Sequence, residues 1–283
     1  MAQSCSADQW IEVKGPFTDV ELRALKRHGS IDRLSITHQP LLTTSVARGL
    51  TEIASVDYLW LWCPVTRAAM KYVVAIPNLR VLDVLYVKPP GQLNGFSEAA
   101  NLQELRCNHC LNAADLLEIA SCKSLRQVGA QSCEITISAL DALLALPHLE
   151  SIDLEGSNFN DKMAPRLHRS GSLRSLDLGS TSLTRKGLQT LVKLKQLRQL
   201  DLWATNITEP DLDLLAEMPH LEYLSIGKMC GDGKQLFTAA TLLPRLKAIP
   251  SLKRIWLDGI KMTKTETTQF EAHFEKVRVT YDP

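Results

Sequence analysis

One pattern constrains this chain more than any other. Segments of the form L-x-x-L-x-L open at Leu79, Leu102, Leu125, Leu149, Leu173, Leu197, Leu221 and Leu252. They recur at a spacing of about 23–24 residues, with one longer step of about 31 before the last. Ile31 and Val56 open two weaker copies, IDRLSI and VDYLWL. A chain that repeats at this spacing is built from stacked supersecondary units, none of which closes a core alone.

Each unit has two halves. The first, as in Leu176-Asp177-Leu178, alternates apolar and polar with period two and predicts a short strand. The second, as in residues 187–194, spaces its apolar side chains for a helix with one buried face. Between them Asn112, Thr136, Asn160, Thr184, Thr208 and Thr263 occupy one repeat position, and each side-chain oxygen can cap a helix start. Pro210 falls in a first turn, while Pro147, Pro219 and Pro250 end the helical halves. Stacking such units places parallel strands on one side and helices on the other. Helices are wider than strands, so the stack curves with the sheet inside.

The unit L-x-x-L-x-L-x-x-T-x-[LI]-T-x-x-x-L-x-x-L, over residues 31–275, resembles the leucine-rich repeat family. The likeness is to its cytosolic, helix-containing type, related to ribonuclease-inhibitor-like and cysteine-containing repeats. It implies an α/β solenoid, a horseshoe with a concave parallel sheet and convex helices, of about eleven units. The whole of 1–283 is then one domain: a degenerate N-terminal capping unit over 1–30, repeats over 31–262 and a C-terminal cap over 263–283. In the first cap Ile11 and Val13 read as strand and Thr18 as a helix cap; in the last, VRVTY reads as an edge strand. The insertion at 227–250 carries Gly231-Asp232-Gly233-Lys234 as an exposed turn, and residues 87–96 replace a helix start with a Pro/Gly loop.

Composition narrows the function. Lys and Arg number 32 against 31 Asp and Glu, without the basic surplus expected of a nucleic-acid binder. No apolar run approaches the roughly 18 residues of a membrane span. The opening MAQSCSADQWIEVKG lacks the parts of a secretory leader, so the seven cysteines read as reduced thiols and the expected location is cytoplasmic. No G-x-S-x-G, H-E-x-x-H or phosphate loop occurs and the seven histidines are scattered, so no catalytic residues and no cofactor are expected. Cys107 and Cys110 have C-x-x-C spacing but fall at inward repeat positions, where they read as small hydrophobes rather than metal ligands.

Function therefore falls to the third, fifth and seventh residues of each unit, which face away from the leucine side. Tyr58, Trp60 and Trp62 form one aromatic group there, and Trp203, Tyr223 and Trp256 a second. Asp153, Asp177 and Asp201 occupy three successive rungs about 4.8 Å apart, with Glu155 beside the first. Arg106 shares this face, and Arg174 and Arg198 are near enough in sequence to pair with the carboxylates. Arg185, Lys186, Lys193, Lys195 and Arg198 make a basic run on the helical side, expected to be a solvated face.

Large aromatics and carboxylates on a curved sheet predict a protein partner with a basic surface. The sharper form is an inhibitor or immunity protein that blocks a basic enzyme or toxin. The alternatives are an adaptor or substrate-recognition subunit, against which the short segment before Ile31 weighs, and a bacterial effector delivered by specialised secretion. Oligomeric state is open at this level.

Overall fold

The computed structural model describes residues 10–89, 92–107, 111–227 and 237–280. The Gly231–Lys234 turn, Cys110 of the C-x-x-C pair and the last residue of VRVTY lie outside the described residues. The chain divides into two compact units, Met1–Leu149 and Glu150–Pro283.

The first unit holds strands β1 (Trp10–Lys14), β2 (Ser30–Thr37), β3 (Ser55–Thr66), β4 (Val81–Lys88), β5 (Glu104–Cys107) and β6 (Gln127–Gly129). They pair in chain order, all parallel. The second holds β7 (Ser151–Asp153), β8 (Ser175–Asp177), β9 (Gln199–Asp201), β10 (Tyr223–Gly227), β11 (Arg254–Asp258) and β12 (Lys276–Thr280), again in order and parallel. Repeat register is strand register. Leu59, Leu82, Leu105 and Val128 lie opposite one another in the first unit, and Ile152, Leu176, Leu200, Leu224 and Ile255 in the second. All are buried, each worth about 1.5–3 kcal/mol of apolar burial.

The strands and helix starts read near the two ends form. Ile11 and Val13 of β1 lie opposite Leu34 and Ile36, and Thr18 shares a capping box with Glu21 at the helix Asp19–Arg23. Thr263 caps the helix Lys264–Glu271, and β12 follows as a parallel edge strand. Asn112, Thr136, Thr184 and Thr208 also stand at helix starts.

Three expectations need correction. Asn160 caps no helix: its Oδ1 accepts the Lys162 N–H at 3.0 Å, and the helical turn begins only at Ala164. Asp161 acts instead on the next rung, accepting from Thr184 N–H at 2.9 Å and Gly187 N–H at 3.1 Å. The helical halves Ala164–Arg169 and Glu209–Glu217 are 3₁₀ rather than α, each with a proline in its first turn. The first unit is also less regular, with strands of 8, 12 and 8 residues at β2, β3 and β4 and a register shift between Leu61 and Pro64.

The residue after each strand turn repeats a backbone feature. His38, Ser132, Ser180 and Ala204 hold φ of 57°, 54°, 53° and 52°, and Gly156 and Gly259 take 66° and 67° at the same repeat position. That left-handed residue turns the chain from strand toward helix at a cost only glycine escapes. Among the described residues no helix is long and apolar enough to cross a membrane.

Candidate functional site

The carboxylate ladder lies in the second unit. Asp153, Asp177 and Asp201 stand directly opposite one another on β7, β8 and β9. Each accepts the backbone N–H two residues on: Glu155 to Asp153 Oδ1 at 3.0 Å, Gly179 to Asp177 Oδ1 at 2.8 Å and Trp203 to Asp201 Oδ1 at 2.7 Å. The close packing depends on Gly179, where an added Cβ would lie 3.2 Å from Asp177 Oδ1 and 3.4 Å from Glu155 Cγ.

This crowding has an electrostatic consequence. Oxygens of Asp153, Glu155 and Asp177 lie within 4.8 Å of one another. Burial, and then the charges of Asp201 and Asp153, push the Asp177 carboxyl up to about 8, against the Gly179 N–H that favours its ionised form. Asp201 is also raised, first by burial, while the Trp203 N–H and the Ser225 hydroxyl oppose the rise. Burial and crowding thus favour the protonated form of Asp177.

Indoles stand beside the acids. Trp203 and Trp256 line a cavity of about 280 Å³ together with Glu155, Asp177, Asp201 and Asp258. The Nε1 of Trp203 is shielded from water and has no acceptor among the described residues. Guanidinium groups already lie on two rings of this face: Arg254 at 5.6 Å from the centre of Tyr223, and Arg278 at 4.3 Å from that of Trp256, itself a wall of the cavity.

The first unit carries the other aromatic group. Trp60 meets Trp62 edge-on at 5.3 Å, and Trp62 remains 51 % exposed. Trp10 joins them, 5.1 Å from Tyr58 and 5.9 Å from Trp60, with Arg33 over its ring at 5.9 Å. The rings thus pack on one another and still present an open edge. Burial and then Asp83 raise the Tyr58 phenol. Arg106 is bound to Glu104 and lies 3.7 Å from Asp83, so its charge is spent within its own face.

Known proteins place the architecture. A family model described as the leucine-rich repeats of the FBD-associated F-box protein At5g56370 matches residues 156–237. An internalin from Listeria monocytogenes superposes with a TM-score of 0.55 at 17 % identity, over 87 % of this chain and 68 % of that one. The structure of the TLR13–ssRNA13 complex gives a TM-score of 0.55 at 18 % identity, over 97 % of this chain and 39 % of that one. No curated protein matches by sequence.

The chain has the leucine-rich repeat fold. Its repeats explain both what position predicts and where position misleads. Arg174 and Arg198 do not reach the ladder: Arg174 Nη1 donates to the carbonyls of Gly171 and Leu173, and Arg198 pairs with Glu222 on the next rung. Nor is the basic run simply solvated. Arg185 pairs with the buried Asp211 at 2.7 Å, and Lys195 Nζ donates to the Glu217 carbonyl at 2.7 Å. Long cations on a repeat surface find partners one rung away. Cys63, Cys107, Cys122 and Cys133 are buried, and burial pushes the Cys63 thiol up to about 12, as for inert core thiols. Trp10 is the residue that repeat reasoning missed. Opposite Arg33, it occupies the third position of the first capping unit, which Ile11 and Val13 at the leucine positions would have indicated.

Proposed function

We propose that this protein is a binding scaffold that holds a basic segment of a partner protein on the carboxylate-and-indole sheet face. Stacked carboxylates flanked by indoles around an open cavity carry this reading. Crowded acids in this array repel one another, and the crowding favours protonation of Asp177; a cation relieves both costs. Asp153, Glu155, Asp177, Asp201, Trp203, Tyr223 and Trp256 are the contact residues of this face. Tyr58, Trp60, Trp62 and Trp10 offer a second, apolar contact, with Arg106 orienting Asp83 and Glu104 beneath it. Such a face acts by occupying its partner rather than by chemistry, as an inhibitor or immunity protein does. Buried thiols support a reducing, cytoplasmic setting, and the repeat period unbroken from Leu79 to Leu221 supports one domain. Substrate recognition as an adaptor has one specific support, the match of residues 156–237 to the repeats of an F-box protein.

The test is retention of a partner on immobilised protein. Wild type holds a basic protein that elutes as salt rises. The Asp177→Asn/Asp201→Asn variant, with unchanged circular dichroism, loses it. Equal retention by the variant places the partner elsewhere.

A further inference from the structure

We propose that the cavity between Trp203 and Trp256 is a socket for a single arginine side chain of the partner. This rests on the binding role above and gives it a specific chemistry.

Size is the first argument. At about 280 Å³ the cavity stands at the small end of ordinary ligand pockets, with room for one long side chain. Its lining is the second. Carboxylates of Asp177 and Asp201 supply acceptors, and indoles supply flat faces. A guanidinium uses both at once, because it is planar, weakly hydrated and able to donate in a fork while stacked. A lysine ammonium is more strongly hydrated and gains less from the rings. A divalent cation asks for a full shell of oxygens, whereas here Asp177 Oδ1 and Asp201 Oδ1 already accept backbone N–H bonds and two indoles stand among the carboxylates of the lining.

The protein itself supplies a third argument. Arg254 lies over Tyr223 and Arg278 over Trp256, so guanidinium-on-ring packing is the mode this face already uses.

The test follows the five tryptophan indole N–H signals by NMR in the full chain. The probes are Nα-acetyl-arginine amide, Nα-acetyl-lysine amide and Ca²⁺. Trp203→Phe and Trp256→Phe identify two of the signals. Arginine amide should move these two and leave the other three in place. Lysine amide should need about ten times the concentration. Asp201→Asn keeps the Oδ1 acceptor for the Trp203 N–H and should weaken the arginine response about tenfold. Absence of an arginine response in wild type overturns the socket, as does an equal lysine response. Ca²⁺ moving the same signals at lower concentration than arginine overturns it as well. Partner retention lost in the Asp177→Asn/Asp201→Asn variant while wild type ignores arginine amide refutes the socket alone and leaves the binding face standing.

Discussion

Removing the charge of Asp177 should stabilise the protein, and the gain should grow with pH. Its carboxyl rises from an ordinary 3.8 to about 8 in the folded chain, through burial and the charges of Asp201 and Asp153. Between those two values the folded state binds a proton that the unfolded state has lost, so stability falls as pH rises. One extra proton corresponds to about 1.4 kcal/mol for each pH unit crossed. The full window would give roughly 6 kcal/mol; sharing of the proton among the ladder carboxyls and water at the open side reduce this to about 2–4 kcal/mol. Asp177→Asn keeps the acceptor for the Gly179 N–H and removes only the ionisation. Urea unfolding of both proteins from pH 4 to pH 9 measures the difference. The two should be nearly equal near pH 4, the variant should lead increasingly toward pH 8, and the gap should level off above it. A gap independent of pH, or an Asn variant less stable at pH 8, would refute the account of the ladder.

Other perturbations test the scaffold. Leu200 is buried between Leu176 and Leu224, and Leu200→Ala should cost about 2–5 kcal/mol in urea unfolding. Ala204 holds a left-handed φ of 52°, so Ala204→Gly should stabilise by about 1 kcal/mol, the opposite of Ala→Gly at the buried helical Ala139. Arg67 meets Asp115 in a largely buried pair at 2.9 Å; Asp115→Ala should cost about 3–5 kcal/mol in thermal unfolding, and Arg67→Met/Asp115→Leu should recover much of it.

The sequence made the ladder legible because one arithmetic governs both levels. Residues one repeat apart become residues opposite one another, so Asp153, Asp177 and Asp201 were stacked before any coordinates. Thr184 and Thr263 were legible as caps for the same reason. What escaped was set by interactions between rungs. Arg198 pairs with Glu222 rather than with the ladder because a long side chain reaches across the stack as easily as along it. Ser35 and Ser225 share the outward position of the acids yet are buried, with Trp60 and Trp256 directly opposite them on the next strand. The left-handed eighth position carries no residue signature, being His, Ser, Ala or Gly in different units. Trp10 hid in a unit whose leucines are replaced by Ile11 and Val13.

Hydrogen–deuterium exchange on the chain, free and with its retained partner, tests the central claim most directly. Amides at 153–156, 177–180 and 201–204 hold the carboxylates in place and border the cavity. The binding-face account predicts that exchange slows at these three turns and in β10 and β11 when the partner is bound. Protection confined to the helical side, at Arg185–Leu191 and Ala239–Lys247 with the three turns unchanged, would contradict it.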